Sequence, residues 1–198
     1  MTEQLELFDD LPGTQPELPG LVLAQEVISE SEEMALIKAI DAECWLDDLS
    51  RRVQHYGYKY DYRARRIDIE MQLGPLPDWT GPIIGRLLVN GNFNNAPDQV
   101  IVNEYLPGQG ISPHIDCEPC FEDTIASLSL GSGASMKFEK LGRSAELYLP
   151  RRSLILLAGE SRYLWKHSIP KRKSDKVGSN KLIRSRRISL TFRRVILQ

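Results

Sequence analysis

No stretch of the 198-residue chain is apolar over anything near the roughly 20 residues that cross a bilayer. That excludes a membrane-spanning helix, and no membrane partner is expected. The first ten residues are acidic and have neither a basic segment nor an apolar core, so no secretory signal is expected. Cysteine is scarce: Cys44, Cys117 and Cys120. An odd, low count excludes a disulfide-stapled scaffold and predicts reduced thiols in a cytoplasmic setting. Histidine is as scarce, at His55, His114 and His167. No internal repeat is present. What remains is ordinary globular composition, 41% apolar and 26% charged, at a length that suits one domain and one core.

The net charge of −2 hides a polarised chain. Residues 1–50 hold 13 acids and one lysine, net −12, whereas residues 151–198 hold 14 Lys/Arg and two acids, net +12. One reading is a basic face for a polyanion. The other is that the two ends fold together and neutralise each other.

Residues 1–20, with Pro12, Pro16, Pro19 and many acids, read as a flexible tail. Residues 21–198 read as a single unit. Ser29 and Glu32 form a capping box ahead of Leu36, Ile37, Ile40 and Cys44, which predicts a helix over Ser29–Cys44. A second helix is expected over Trp79–Val89, closing at Asn90–Gly91. From Gln99 the texture changes to about eight short strands separated by Gly and Pro. That predicts a mainly β chain with flanking helices (α+β), built as a sandwich, jelly roll or barrel over 99–195. Lys171–Ser185 is polar and basic and reads as a mobile loop.

Between the helices lies Arg51–Arg66, RRVQHYGYKYDYRARR. Tyr56, Tyr58, Tyr60 and Tyr62 alternate, so an extended strand would place them on one face. Alternating aromatics among cations suit base stacking and phosphate attraction. A half-buried strand with core-facing tyrosines fits the same pattern.

His114 and Asp116 stand two apart in a strand-like segment, so both side chains leave from one face. His167 is the histidine remaining in the β region. Two imidazoles and a carboxylate on one face of an octahedral ion leave three positions open, the arrangement that non-haem Fe(II) oxygenases use. A core histidine and a turn acid after Pro113 are the plainer alternative. The segment RISLTFR adds weight. Arg187, Ser189, Thr191 and Arg193 share one face, and Ile188, Leu190 and Phe192 share the other. An inward arginine beside a metal site would bind a carboxylate with its planar fork. Outward, solvated arginines are the alternative. Asn103 and Tyr105 share a face of the strand before His114.

Asn103–Tyr105 (NEY), His114–Asp116 (HID), His167 and Arg187–Arg193 occur together in an order that resembles the AlkB-type Fe(II)/2-oxoglutarate dioxygenases. EYLPGQGISPHID, FEDTIASLSLGS and LPRRSLILLAGESRYLWKH are most similar to the branch containing the oxygenase domain of the tRNA wobble-uridine hydroxylase. The resemblance implies a double-stranded β-helix, or jelly roll, with an N-terminal helical and lid extension. It implies Fe(II) on His114, Asp116 and His167, which are then the catalytic residues. It implies 2-oxoglutarate as cosubstrate against Arg187, with Asn103, Tyr105 and Arg193 completing that pocket, and O2 as the oxidant. Residues 51–75 fall at the family's nucleotide-recognition lid, which makes Arg51, Arg52, Tyr58 and Tyr60 candidates for substrate contact. Glu118, two residues after the aspartate, occupies the place of a base-contacting acid.

The resemblance implies oxidative dealkylation of N-methyl or etheno-adducted bases in single-stranded DNA or RNA, releasing aldehyde, succinate and CO2. The alternative is hydroxylation of a modified wobble uridine in tRNA. A non-catalytic nucleic-acid-binding jelly roll and a protein hydroxylase rank lower. The expected partner is single-stranded or locally unstacked nucleic acid, met by a monomer. Arg151, Arg152, Arg162, Lys171, Arg172 and Lys173 are candidates for the strand's basic track. Cys117 and Cys120 (CEPC) are expected as two ordinary reduced thiols, with a zinc or redox role as the lesser alternative.

Overall fold

The computed structural model describes residues 18–47 and 49–197. Most of the expected tail, residues 1–17, lies outside the described residues. Its last three residues are not loose: Leu18 is buried, and the Pro19 and Gly20 carbonyls accept from the Ser161 and Ala158 amides at 3.0 and 2.9 Å. Among the described residues the chain forms β1 (Leu21–Ala24), α1 (Glu30–Asp41), β2 (Val53–Tyr56), α2 (Gly81–Val89), β3 (Gln99–Tyr105), β4 (Ile111–His114), β5 (Ile125–Gly131) and β6 (Ala134–Lys140). β7 (Arg143–Leu149), β8 (Leu154–Leu157), α3 (Gly159–Tyr163), β9 (Lys166–Ile169), β10 (Ser174–Val177), β11 (Asn180–Ile183) and β12 (Arg187–Arg193) follow.

Local chemistry starts the first helix. The Ser29 hydroxyl accepts from the Glu32 amide at 3.2 Å, and the Glu32 carboxylate accepts from the Ser29 amide at 2.7 Å. Two orphan donors are thereby satisfied, and Leu36 and Ile40 turn into the core. The helix ends at Asp41, short of the expected Cys44.

The strands form a six-stranded sheet, β1-β8-β5-β12-β3-β2, and a four-stranded sheet, β4-β9-β6-β7. This is the expected jelly roll with flanking helices. Period-two alternation divides the large sheet into two faces. Val100, Val102, Ala126, Leu128, Leu130, Ile188, Leu190 and Phe192 pack with α1 and α2 in one cluster. Between the sheets a second cluster gathers Phe138, Leu149, Ile155, Leu157, Trp165 and Ile169. Arg187, Ser189, Thr191 and Arg193 also point between the sheets and are all buried. The alternative of solvated arginines on that strand is therefore excluded.

Two segments depart from expectation. Lys171–Ser185 contains a paired hairpin, β10–β11, in place of a loop. Asp175 anchors it, buried and accepting from Arg184 Nε at 2.6 Å and Arg172 Nε at 2.8 Å. The tyrosines of 56–62 do not share a face. β2 ends at Tyr56, and Gly57 turns the backbone into the left-handed region at φ +79°. A Cβ there would lie 1.8 Å from the Asp98 carbonyl oxygen, so the turn depends on glycine.

Candidate active site

β4 and β9 are antiparallel neighbours, and their register places His114 opposite His167. The two ring centroids are 4.4 Å apart. Asp116 lies just past the end of β4 and turns back toward them. The ligand atoms of His114, Asp116 and His167 all lie within 4.8 Å of one another. His114 Nδ1 is 2.8 Å from the Ser112 carbonyl. With the proton held there, Nε2 keeps its lone pair for a metal. Burial pushes His167 down to about 4, against the opposing pull of Asp116, so the ring is neutral near pH 7. Burial alone would raise the Asp116 carboxyl. Arg193, His167, His114 and Arg162 outweigh it and hold the group well below the usual carboxylate range. Two imidazoles and one ionised carboxylate are the donor set that Fe(II) takes.

Two arginines fix Asp116 from different sides. Arg193 Nη2 donates to Asp116 Oδ1 at 2.9 Å. Arg162, 1% exposed, donates to the Asp116 and Cys117 carbonyls at 3.0 and 3.1 Å. A third arginine forms no ion pair with a carboxylate among the described residues. Arg187 is 3% exposed and donates through Nη2 to Ser129 Oγ at 2.8 Å. Its Nε is buried without a partner, and its guanidinium lies 5.4 Å from the centre of the Tyr105 ring. A buried guanidinium without a counter-charge is costly. A carboxylate arriving from the pocket supplies the missing partner bidentately. The pocket, about 380 Å³, joins Arg187 to the His–Asp–His cluster. These residues fit a metal ion and a short dicarboxylate together.

The sequence profile of the 2OG-Fe(II) oxygenase superfamily matches residues 32–193. The chain belongs to this superfamily. It is an AlkB-like dioxygenase, and its family uses Fe(II), 2-oxoglutarate and O2. It is 44% identical over 204 residues to the "Alkylated DNA repair protein ALKBH8 homolog" of Arabidopsis thaliana, covering 90% of this chain and 59% of that protein. It is 38% identical over 205 residues to the mouse "tRNA (carboxymethyluridine(34)-5-O)-methyltransferase ALKBH8", covering 89% of this chain and 30% of that protein. The chain thus spans between three tenths and three fifths of the length of these relatives. Among solved structures, OsALKBH1 superposes with a TM-score of 0.71 at 18% identity, covering 91% of this chain and 99% of that one.

The oxygenase sorts the other expected residues. Asn103 and Tyr105 line the pocket, where Asn103 Oδ1 accepts from Arg51 Nε at 2.8 Å. Arg51 lines it as well, and its terminal nitrogens make no ion pair among the described residues. Arg52 does not reach it: two 2.7 Å hydrogen bonds tie it to Glu104, and it lies over Trp45. Tyr60 and Tyr62 line the pocket, with ring centroids 5.0 Å apart, edge to face. Tyr58 instead packs with Ile67, Phe121 and Val195, and Tyr56 packs edge-on against Trp79. Glu118 is exposed on the short turn Glu118–Cys120 and is not part of the pocket wall. Arg65, within the expected lid but not named as a contact, and Lys171, expected on the basic track, also line the wall.

The expected basic track is largely spoken for. Arg151 pairs with Glu33, and Arg152 pairs with Glu26 at 2.6 Å and approaches Glu33. Arg172 pairs with Glu146 and Asp175, and Arg162 is buried behind Asp116. The acidic N-terminal helix and the basic C-terminal half do neutralise each other here. The expectation of two thiols is also overturned. Cys117 and Cys120 are joined as a disulfide, because the tight turn through Pro119 brings their Cα atoms to 5.3 Å. Cys44 is free and exposed. Among the described residues no helix is long and apolar enough to cross a membrane.

Proposed function

We propose that this oxygenase hydroxylates a carbon substituent of a modified wobble uridine in tRNA. The charge of the pocket carries the reading. Arg51, Arg65 and Lys171 line it, and among the described residues Asp116, already held by Arg193, is its one acid. Bases that ring-nitrogen methylation makes cationic, such as 1-methyladenine and 3-methylcytosine, are poorly received there. A neutral or acidic uridine is received well. Glu118, the acid placed to greet a cationic base, points elsewhere. The mouse relative's name, which refers to a carboxymethyluridine of tRNA, supports the same substrate. Dealkylation is the second reading. The Arabidopsis relative's name supports it, as does a 29% identical "DNA N6-methyl adenine demethylase" of Caenorhabditis elegans.

Fe(II), 2-oxoglutarate and O2 together supply an oxidant for a nearby C–H bond, with succinate and CO2 as coproducts. His114, Asp116 and His167 hold the metal. Arg193 keeps Asp116 ionised and aimed. Arg187 takes the distal carboxylate of 2-oxoglutarate, and Asn103 and Tyr105 form the adjoining wall. Tyr60 and Tyr62 offer aromatic edges and faces to a base withdrawn from its stack. Arg51 faces that base with its free nitrogens.

The test is incubation with total tRNA and, separately, with a methylated single strand, followed by nucleoside mass spectrometry. A uridine derivative should gain one oxygen in the tRNA sample, and His114→Ala and Asp116→Ala should abolish the gain. Loss of methyl groups from the single strand with no change in the tRNA would replace this reading with dealkylation.

A further inference from the structure

Cations of the segment 171–186 divide by residue type. Arg172, Arg184 and Arg186 each hold carboxylates: Arg172 holds Glu146 and Asp175, Arg184 holds Asp175, and Arg186 holds Asp41 and Glu104. Lys171, Lys173, Lys176 and Lys181 are all exposed, and none forms an ion pair among the described residues. The arginines build the hairpin, and the lysines are left over.

Their placement is energetically unfavourable. In the β10–β11 register Lys176 stands directly opposite Lys181, and Ser174 stands opposite Ile183. Directly paired residues share a face, so this face carries two like charges and no acid. Like charges in that position destabilise a hairpin. The other face carries Asp175, which is 2% exposed and clamped by two arginines, so the strands cannot slip to relieve the repulsion. The segment also starts at the site. Lys171 lines the pocket, and Lys176 is at most about 18 Å further along the chain. Exposed ammonium groups on both strands of a hairpin that follows the pocket-lining Lys171 match an extended polyanion better than a small anion.

We propose that the β10–β11 hairpin is a docking surface for the phosphate backbone of the RNA whose base enters the pocket. Lys173, Lys176 and Lys181 make the phosphate contacts, and a phosphate near Lys176 and Lys181 relieves their mutual repulsion. This rests on the reading of the substrate as tRNA. The contacts are electrostatic and sequence-independent, and they position the strand without reading it.

The test uses the full chain and the triple variant Lys173→Gln/Lys176→Gln/Lys181→Gln. Binding of tRNA is followed by fluorescence anisotropy across a salt titration. The slope of log affinity against log salt should fall by about 2 to 3 in the variant, since each lost phosphate contact removes roughly 0.7–0.9. Lys176→Arg/Lys181→Arg should keep the wild-type slope. Without RNA the triple variant should melt no lower than wild type, because the like-charge pair is gone. Its affinity for 2-oxoglutarate should also be unchanged. A wild-type slope in a folded triple variant overturns the hairpin as a docking surface and leaves the substrate reading standing. Absence of tRNA binding by the wild-type chain overturns the substrate reading, and the hairpin proposal with it. Loss of binding to phosphatidylserine vesicles, with tRNA binding intact, overturns the proposal in favour of a membrane surface.

Discussion

Replacing Arg162 with methionine separates two views of a C-terminal cation. As part of a nucleic-acid track, Arg162 would touch phosphate and contribute little to folding. The structure instead buries it to 1% exposure, with both terminal nitrogens on the carbonyls of Asp116 and Cys117 at 3.0 and 3.1 Å. Hydrogen bonds from a charged donor contribute about 1.5–3 kcal/mol each. Removing both takes the guanidinium from the Asp116 carbonyl and leaves the Cys117 carbonyl with only the long 3.4 Å bond from the Cys120 amide. Part of that loss is offset, because the variant no longer buries a charge whose Nε has no partner. A net loss of about 3 kcal/mol is expected. For a chain of this size that lowers Tm by roughly 6–12 °C. Metal affinity should fall as well, by roughly 10–100-fold, because Arg162 fixes the backbone that carries the Asp116 ligand. Thermal melts followed by circular dichroism and Fe(II) titration of the folded protein measure the two effects. A variant that melts like wild type, binds Fe(II) equally and shows a shallower salt dependence of tRNA binding would refute the clamp and restore the track.

Other expectations follow from the same geometry. Arg187→Ala should raise the 2-oxoglutarate concentration needed for half-maximal succinate formation at least tenfold, because the dicarboxylate loses its charge partner; an unchanged requirement removes Arg187 from the cosubstrate pocket. Glu33→Gln should cost about 2 kcal/mol in urea unfolding, since Glu33 is fully buried, accepts from the Gly131 amide at 2.7 Å and pairs with Arg151. Asp175 is drawn two ways: burial would raise its carboxyl, but Arg184 and Arg172 bring it down to about 2. A depressed carboxylate stabilises the fold above its unfolded pKa and loses that contribution as pH falls from about 4 toward 2, here about 2 kcal/mol. Wild type minus Asp175→Asn stability, measured at pH 5 and pH 2, should shrink accordingly. Gly57→Ala should destabilise the chain severely, as its Cβ would meet the Asp98 carbonyl at 1.8 Å in a left-handed backbone; a melt within two degrees of wild type would contradict that.

What could be read from the sequence was whatever is encoded locally. The Ser29–Glu32 capping box needs four residues, and it starts the helix as expected. The alternation of RISLTFR needs seven, and it assigns Ile188, Leu190 and Phe192 to one side and Arg187 and Arg193 to the other. Period two at His114 and Asp116 pointed to a shared destination, although Asp116 arrives there by a turn beyond the strand. The misreadings were non-local. Arg152 meets Glu26 across 126 residues of chain, and no window of sequence announces that pair. The tyrosine alternation was genuine, but the backbone conformation of Gly57 broke the strand that would have given it meaning. Arg162 looked like any surface cation until its two carbonyl partners came into view.

Tyr105 has a consequence of its own. The guanidinium groups of Arg51 and Arg187 lie 5.7 and 5.4 Å from the centre of the same ring. On the proposed function Arg51 belongs to the lid segment and Arg187 to the cosubstrate end of the pocket, so one aromatic side chain would serve two ligands. Whatever tilts the ring when the dicarboxylate arrives also changes the surface offered to Arg51, and the effect runs equally in reverse, as thermodynamic reciprocity requires. On the proposed function, the affinities for cosubstrate and nucleic acid should therefore be coupled through this ring. Each should be measured with the other ligand both absent and saturating, and Tyr105→Leu is the substitution that should uncouple them.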